Sequence, residues 1–139
     1  YYIENEFDSF EIYPDVIEVL KDLKEKGFNL CIVTSKFKEA AWPSFTHYKL
    51  DELFDVFVSL DEVEFPKPAP DLFLYAAQQM GFKPSECLVI EDSIPGVTAA
   101  VKANIKVYGL VKLCSADELK NAGAIPFKTM HELSKLLVI

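Results

Sequence analysis

The chain has 139 residues, half of them apolar, and 22 acidic against 14 basic side chains give a net charge of −8. That length holds one globular domain with a real core, and the apolar share excludes a disordered polymer. The acidity argues against a nucleic-acid partner, which needs a basic face to release counterions. No apolar run exceeds strand length, so nothing reads as a membrane span.

The opening, Tyr1-Tyr2-Ile3-Glu4-Asn5-Glu6, is neither a basic leader nor an initiating methionine and does not read as a native beginning. Pro14-Asp15 then starts a helix with Val16, Leu20 and Leu23 on one face, and Gly27 closes it. A buried strand is expected over 29–34. The helical stretch after Lys36 must kink at Pro43 or restart there. A second strand is expected over 55–59. A helix then runs from Asp71 to Met80 with Gly81 as its cap. The third strand, over 87–91, leads straight into Glu91-Asp92-Ser93, and a helix rich in small residues (Ala99, Ala100, Ala103) follows. The fourth strand is 106–110. Ser115 with Glu118 and Thr129 with Glu132 stand at capping-box spacing, so two short helices finish the chain. Strands alternating with helices give an α/β fold with a parallel sheet and crossover connections. Cys31, Cys87 and Cys114 are odd in number and widely spaced, the pattern of reduced thiols in a cytoplasmic protein. His47 and His131 have no metal-ligand spacing and read as ordinary histidines.

Three polar clusters follow strands, where open parallel sheets bind their ligands. Thr34-Ser35 offers hydroxyls and backbone amides at a helix start, suited to phosphate oxygens, although such a pair can equally be a plain helix cap. Lys67 lies between Pro66 and Pro68, so its backbone is stiff and its ammonium can be aimed at a phosphate oxygen. Glu91-Asp92 are adjacent acids after the most apolar strand, and a magnesium ion is a physical reason to place like charges there. Positioning, positive charge and a metal are the needs of phosphoryl transfer. A receiver domain of a phosphorelay uses similar groups, but with its acids first and its lysine last.

Thr34-Ser35, Lys67-Pro68-Ala69-Pro70-Asp71 and Glu91-Asp92-Ser93 with Pro95-Gly96-Val97 and Ala99-Ala100 resemble three motifs, in order, of the haloacid dehalogenase-like superfamily. The match runs from about Pro14 to Leu110 and is nearest to the branch of β-phosphoglucomutase and phosphoglycolate phosphatase. The resemblance implies a Rossmann-like three-layer sandwich with a mainly parallel sheet. It implies a small phosphorylated metabolite as substrate and Mg²⁺ as cofactor. Thr34, Ser35 and Lys67 would hold the phosphoryl group, Glu91 and Asp92 the metal, and Ser93 would orient the acids from behind; Thr34, Lys67 and Asp92 are the expected catalytic residues.

Pro66 stands where the family commonly has glycine, and so does Asn104, which tolerates the left-handed helix end. A larger departure is that no Asp-x-Asp string, the family's nucleophile motif, occurs in the chain. The only aspartate ahead of the first helix is Asp8, followed by Ser9-Phe10. Residues 1–10 therefore resemble the tail of a cap or linker, and 11–139 an incomplete catalytic core. The missing first strand is central in the family, and its three or four large apolar side chains would contribute about 1.5–3 kcal/mol each. That approaches the whole stability of a domain, about 5–15 kcal/mol. The chain is thus expected to need the N-terminal segment, or another chain, to complete its sheet, and to be inactive alone. A phosphosugar mutase of the same family and a non-catalytic binding remnant are the alternative readings.

Overall fold

The computed structural model describes residues 2–3 and 14–137. Six strands form one sheet: β1 (Tyr2–Ile3), β2 (Cys31–Val33), β3 (Val56–Val58), β4 (Leu88–Glu91), β5 (Lys106–Leu110) and β6 (Ile125–Phe127), in the order β3-β2-β1-β4-β5-β6. Every neighbouring pair is parallel. Six helices among the described residues connect them: α1 (Pro14–Glu25), α2 (Lys38–His47), α3 (Asp71–Met80), α4 (Ile94–Lys102), α5 (Ala116–Ala122) and α6 (Met130–Leu136).

Strand side chains alternate between two apolar layers, as a period of two requires. Cys31, Val33, Val89 and Val107 pack with α3, α4 and α5. Ile32, Leu88, Ile90 and Tyr108 pack with α1, α2 and α6, where Leu20, Leu23, Phe45 and Leu133 are buried. With both faces covered, the strands read as continuous apolar runs. This is the three-layer sandwich expected from the sequence.

Three local features refine or correct the sequence reading. Helix α2 continues through Pro43 without restarting. Pro43 and Glu39 are both exposed, so the Glu39 carbonyl that loses its partner can turn to water. Strand β6 was not anticipated; it is the sheet edge beside β5, where the missing amide of Pro126 does no harm. The third difference is at the centre. No apolar run ending in Asp-x-Asp exists in the sequence, yet the expected gap between β2 and β4 is not found, because Tyr2–Ile3 pair there with Cys31–Ile32 and Val89–Ile90. Both flanking strands are buried, and any short extended segment that pairs with their inward backbone groups removes two open edges. Asp8, the division at residue 10 and the re-entry before Pro14 lie outside the described residues.

Asn104 has φ +59° and closes α4, with the Asn104 amide on the Val101 carbonyl and the Ile105 amide on that of Ala100, each at 3.0 Å. Because a β-carbon disfavours this conformation unless the side chain is short and polar, Asn104→Ala is expected to lower stability by about 1 kcal/mol and Asn104→Gly to leave it unchanged or higher. Urea midpoints of the two variants check this; an Ala variant as stable as the parent would contradict it.

Candidate active site

Lys67 sits in the loop between β3 and α3 and reaches under the sheet's carboxyl edge. Its Nζ lies 3.3 Å from the Val33 carbonyl and 3.2 Å from Glu91 Oε2, and 4.8 Å from the centre of the Phe73 ring. The side chains of Lys67 and Glu91 are 4 % and 1 % exposed. One ammonium thus joins the end of β2 to the end of β4 across the central strand. Burial pushes the Lys67 pKa down, while the charges of Glu91 and, less strongly, Asp92 pull it back.

The two acids do different things. Glu91 Oε1 accepts from the Asp92 amide at 3.1 Å, the Ser93 amide at 3.2 Å and Ser93 Oγ at 3.1 Å, while Oε2 faces Lys67. Ser93 Oγ in turn accepts the Gly96 amide at 3.2 Å and caps α4. Pro95 near the helix start needs no donor there. Gly96 is where it is because of Glu91: a Cβ at that position would stand 1.9 Å from the Glu91 Cδ. The carboxylate lies in the space that a side chain would fill. Both Glu91 oxygens are therefore engaged by protein donors, and Asp92 next to it is 8 % exposed. Among the described residues no three His, Cys, Asp or Glu side chains gather as a metal cluster.

Thr34 is 6 % exposed; its amide donates to the Val58 carbonyl at 3.0 Å and its Oγ1 accepts the Lys36 amide at 3.1 Å. Ser35 Oγ is enclosed and has no hydrogen-bond partner among the described residues. An orphaned buried hydroxyl destabilises a fold unless something else bonds to it. One expectation needs correction. Thr34-Ser35 do not open a helix with free amides: α2 starts at Lys38, and the Lys38 amide donates to Asp61 Oδ2 at 2.7 Å. Ahead of it Ser35 and Lys36 form a bend and Phe37 is extended. Sequence reasoning missed Ser59, Asp61 and Glu62 in the turn after β3, although Ser59 with Glu62 has capping-box spacing.

So a buried lysine, an acid pair, a threonine and an unpartnered serine hydroxyl meet at the carboxyl edge of a parallel sheet. The family model for haloacid dehalogenase-like hydrolases matches residues 1–110. The chain belongs to the haloacid dehalogenase-like hydrolase family. Among curated members it is 38 % identical over 104 residues to the pyrophosphatase PpaX of Halalkalibacterium halodurans, covering 72 % of this chain and 48 % of that one. It is 33 % identical over 126 residues to a phosphorylated carbohydrates phosphatase of Thermotoga maritima, covering 89 % and 58 %. A solved haloacid dehalogenase family hydrolase from Deinococcus radiodurans, holding phosphate and sodium, superposes with TM-score 0.84 at 28 % identity, over 91 % of this chain and 58 % of that one. A hydrolase from Pseudomonas syringae gives 0.82 at 34 % identity, over 91 % and 58 %. The chain spans about half the length of these family members.

Proposed function

We propose that the chain is the phosphoryl-binding core of a phosphatase acting on a small phosphorylated metabolite, with the nucleophilic aspartate supplied by a segment outside these 139 residues. The observation that carries this reading is the Lys67 ammonium held between Glu91 and the carbonyl of Val33, two residues ahead of the enclosed Ser35 hydroxyl. The substrate class rests on the phosphatase and pyrophosphatase relatives. In this reading Thr34 and Ser35 donate to phosphoryl oxygens and Lys67 balances their charge. Glu91 aims Lys67 and orders the Asp92-Ser93 turn.

Asp92 fits a divalent cation as a hard-oxygen donor just past the carboxyl end of β4, while Glu91 adds charge from behind rather than a free oxygen. Bound there, Mg²⁺ would supply positive charge against the developing phosphate charge. One carboxylate holds magnesium weakly, so the chain by itself is expected to bind it with low affinity.

Binding without in-line attack gives little rate. We expect the 139-residue chain to hydrolyse no aryl phosphate in the presence of Mg²⁺. A version extended by an N-terminal apolar strand ending in Asp-x-Asp is expected to be active and to lose about a hundredfold or more on Asp92→Ala. Hydrolysis by the short chain that disappears on Asp92→Ala would show that the nucleophile lies within it. An inactive extended version would favour a binding-only protein.

A further inference from the structure

The segment that carries the two site hydroxyls is tied at three successive even-numbered residues to the end of β3 and the turn after it. The Thr34 amide donates to the Val58 carbonyl at 3.0 Å, and the Leu60 amide donates to the Lys36 carbonyl at 3.0 Å. The Lys38 amide donates to Asp61 Oδ2 at 2.7 Å. The first of these rungs closes the β2–β3 ladder, the chain then bends at Ser35-Lys36, and the last rung is made by a side chain. Ser35, with its enclosed hydroxyl, lies between the first two rungs.

Asp61 is fixed in turn. Ser59, fully buried, directs its Oγ at Asp61 Oδ2 at 2.7 Å and at Glu62 Oε2 at 2.8 Å, and its amide donates to Glu62 Oε2 at 3.0 Å. The Lys38 ammonium lies over the Trp42 ring at 4.6 Å, so what Asp61 receives from Lys38 as a hydrogen bond is the backbone amide. The Lys38 amide and then the Ser59 hydroxyl hold the Asp61 carboxyl below its usual range, which keeps it charged and a strong acceptor.

We infer that Asp61 is a positioning residue for the Thr34–Lys38 segment: its carboxylate, seated by Ser59, holds the segment in a phosphate-accepting conformation before any ligand arrives. This rests on the reading of that segment as a phosphoryl site. It assigns Asp61 no contact with the substrate. A rung supplied by a side chain can be removed alone, without breaking either strand.

The test uses the full 139-residue chain and inorganic phosphate as probe, with Asp61→Ala, Asp61→Asn and Lys67→Gln. Removing one charge-assisted hydrogen bond is expected to weaken phosphate binding about tenfold in Asp61→Ala, with Asp61→Asn, which keeps an acceptor oxygen, within about threefold of the parent. Amide exchange at Lys38 is expected to quicken about tenfold in the Ala variant without phosphate. Unchanged phosphate affinity in Asp61→Ala, alongside loss in Lys67→Gln, would overturn the inference and leave the phosphoryl site standing. If the parent binds no phosphate, the reading of the site fails instead. Lys38 exchange then still decides whether Asp61 holds the segment, and an unchanged rate in the Ala variant rejects it.

Discussion

Gly96→Ala is expected to destabilise the chain by about 2–4 kcal/mol and to abolish phosphate binding, although it puts a better helix former into α4. Helix propensity alone predicts the opposite sign, a gain of about 0.5–1 kcal/mol. The added Cβ would stand 1.9 Å from Glu91 Cδ and 2.1 Å from Oε2, so the carboxylate must leave its place. Moving it disturbs the bonds from the Asp92 amide, from Ser93 and from Lys67 together. A displaced Glu91 has no water to turn to, being 1 % exposed. Urea unfolding and phosphate titration of the single variant read both effects. A more stable Gly96→Ala would mean that Glu91 does not occupy the space above that helix turn.

Lys67→Met keeps the unbranched apolar stem of the side chain but removes the charged terminal group that faces Glu91 Oε2. Breaking a buried pair from one side costs about 3–5 kcal/mol, because an uncompensated charge stays inside. We expect a loss of that size in Lys67→Met. The double variant Lys67→Met/Glu91→Gln is expected to regain at least about half of it, since no buried charge then remains. Neither variant should bind phosphate. The cycle separates stability from function: stability depends on Lys67 and Glu91 matching each other, whereas phosphate binding requires the ammonium itself. Strictly additive losses in the double variant would show that the two groups are not coupled, despite their 3.2 Å contact.

By itself the sequence determined the alternation of strands and helices, since apolar runs, Gly27, Gly81 and the Ser115 and Thr129 caps are local signals. Ser115 and Thr129 each accept an amide three residues on, as their spacing required. Asn104 in the left-handed region was legible for the same reason. The order of Thr34, Lys67 and Glu91-Asp92 along the chain was enough to gather them at one sheet edge, because in a parallel sheet every strand ends on the same side.

The tertiary structure alone decided how those groups divide their work. Whether Glu91 faces a cation or a lysine depends on a loop 24 residues earlier and on the missing Cβ of Gly96. The tie from Asp61 to Lys38 bridges 23 residues, and no local pattern encodes it. The entry of Tyr2–Ile3 between β2 and β4 is likewise a matter of long-range pairing, since two residues carry no period of their own. Strand β6 is not legible in the sequence because pairing at an edge tolerates a proline, which in a sequence argues against a strand. Short-range hydrogen bonds and side-chain periods are written along the chain. The partner of a buried charge is set by which loops the folded sheet brings together.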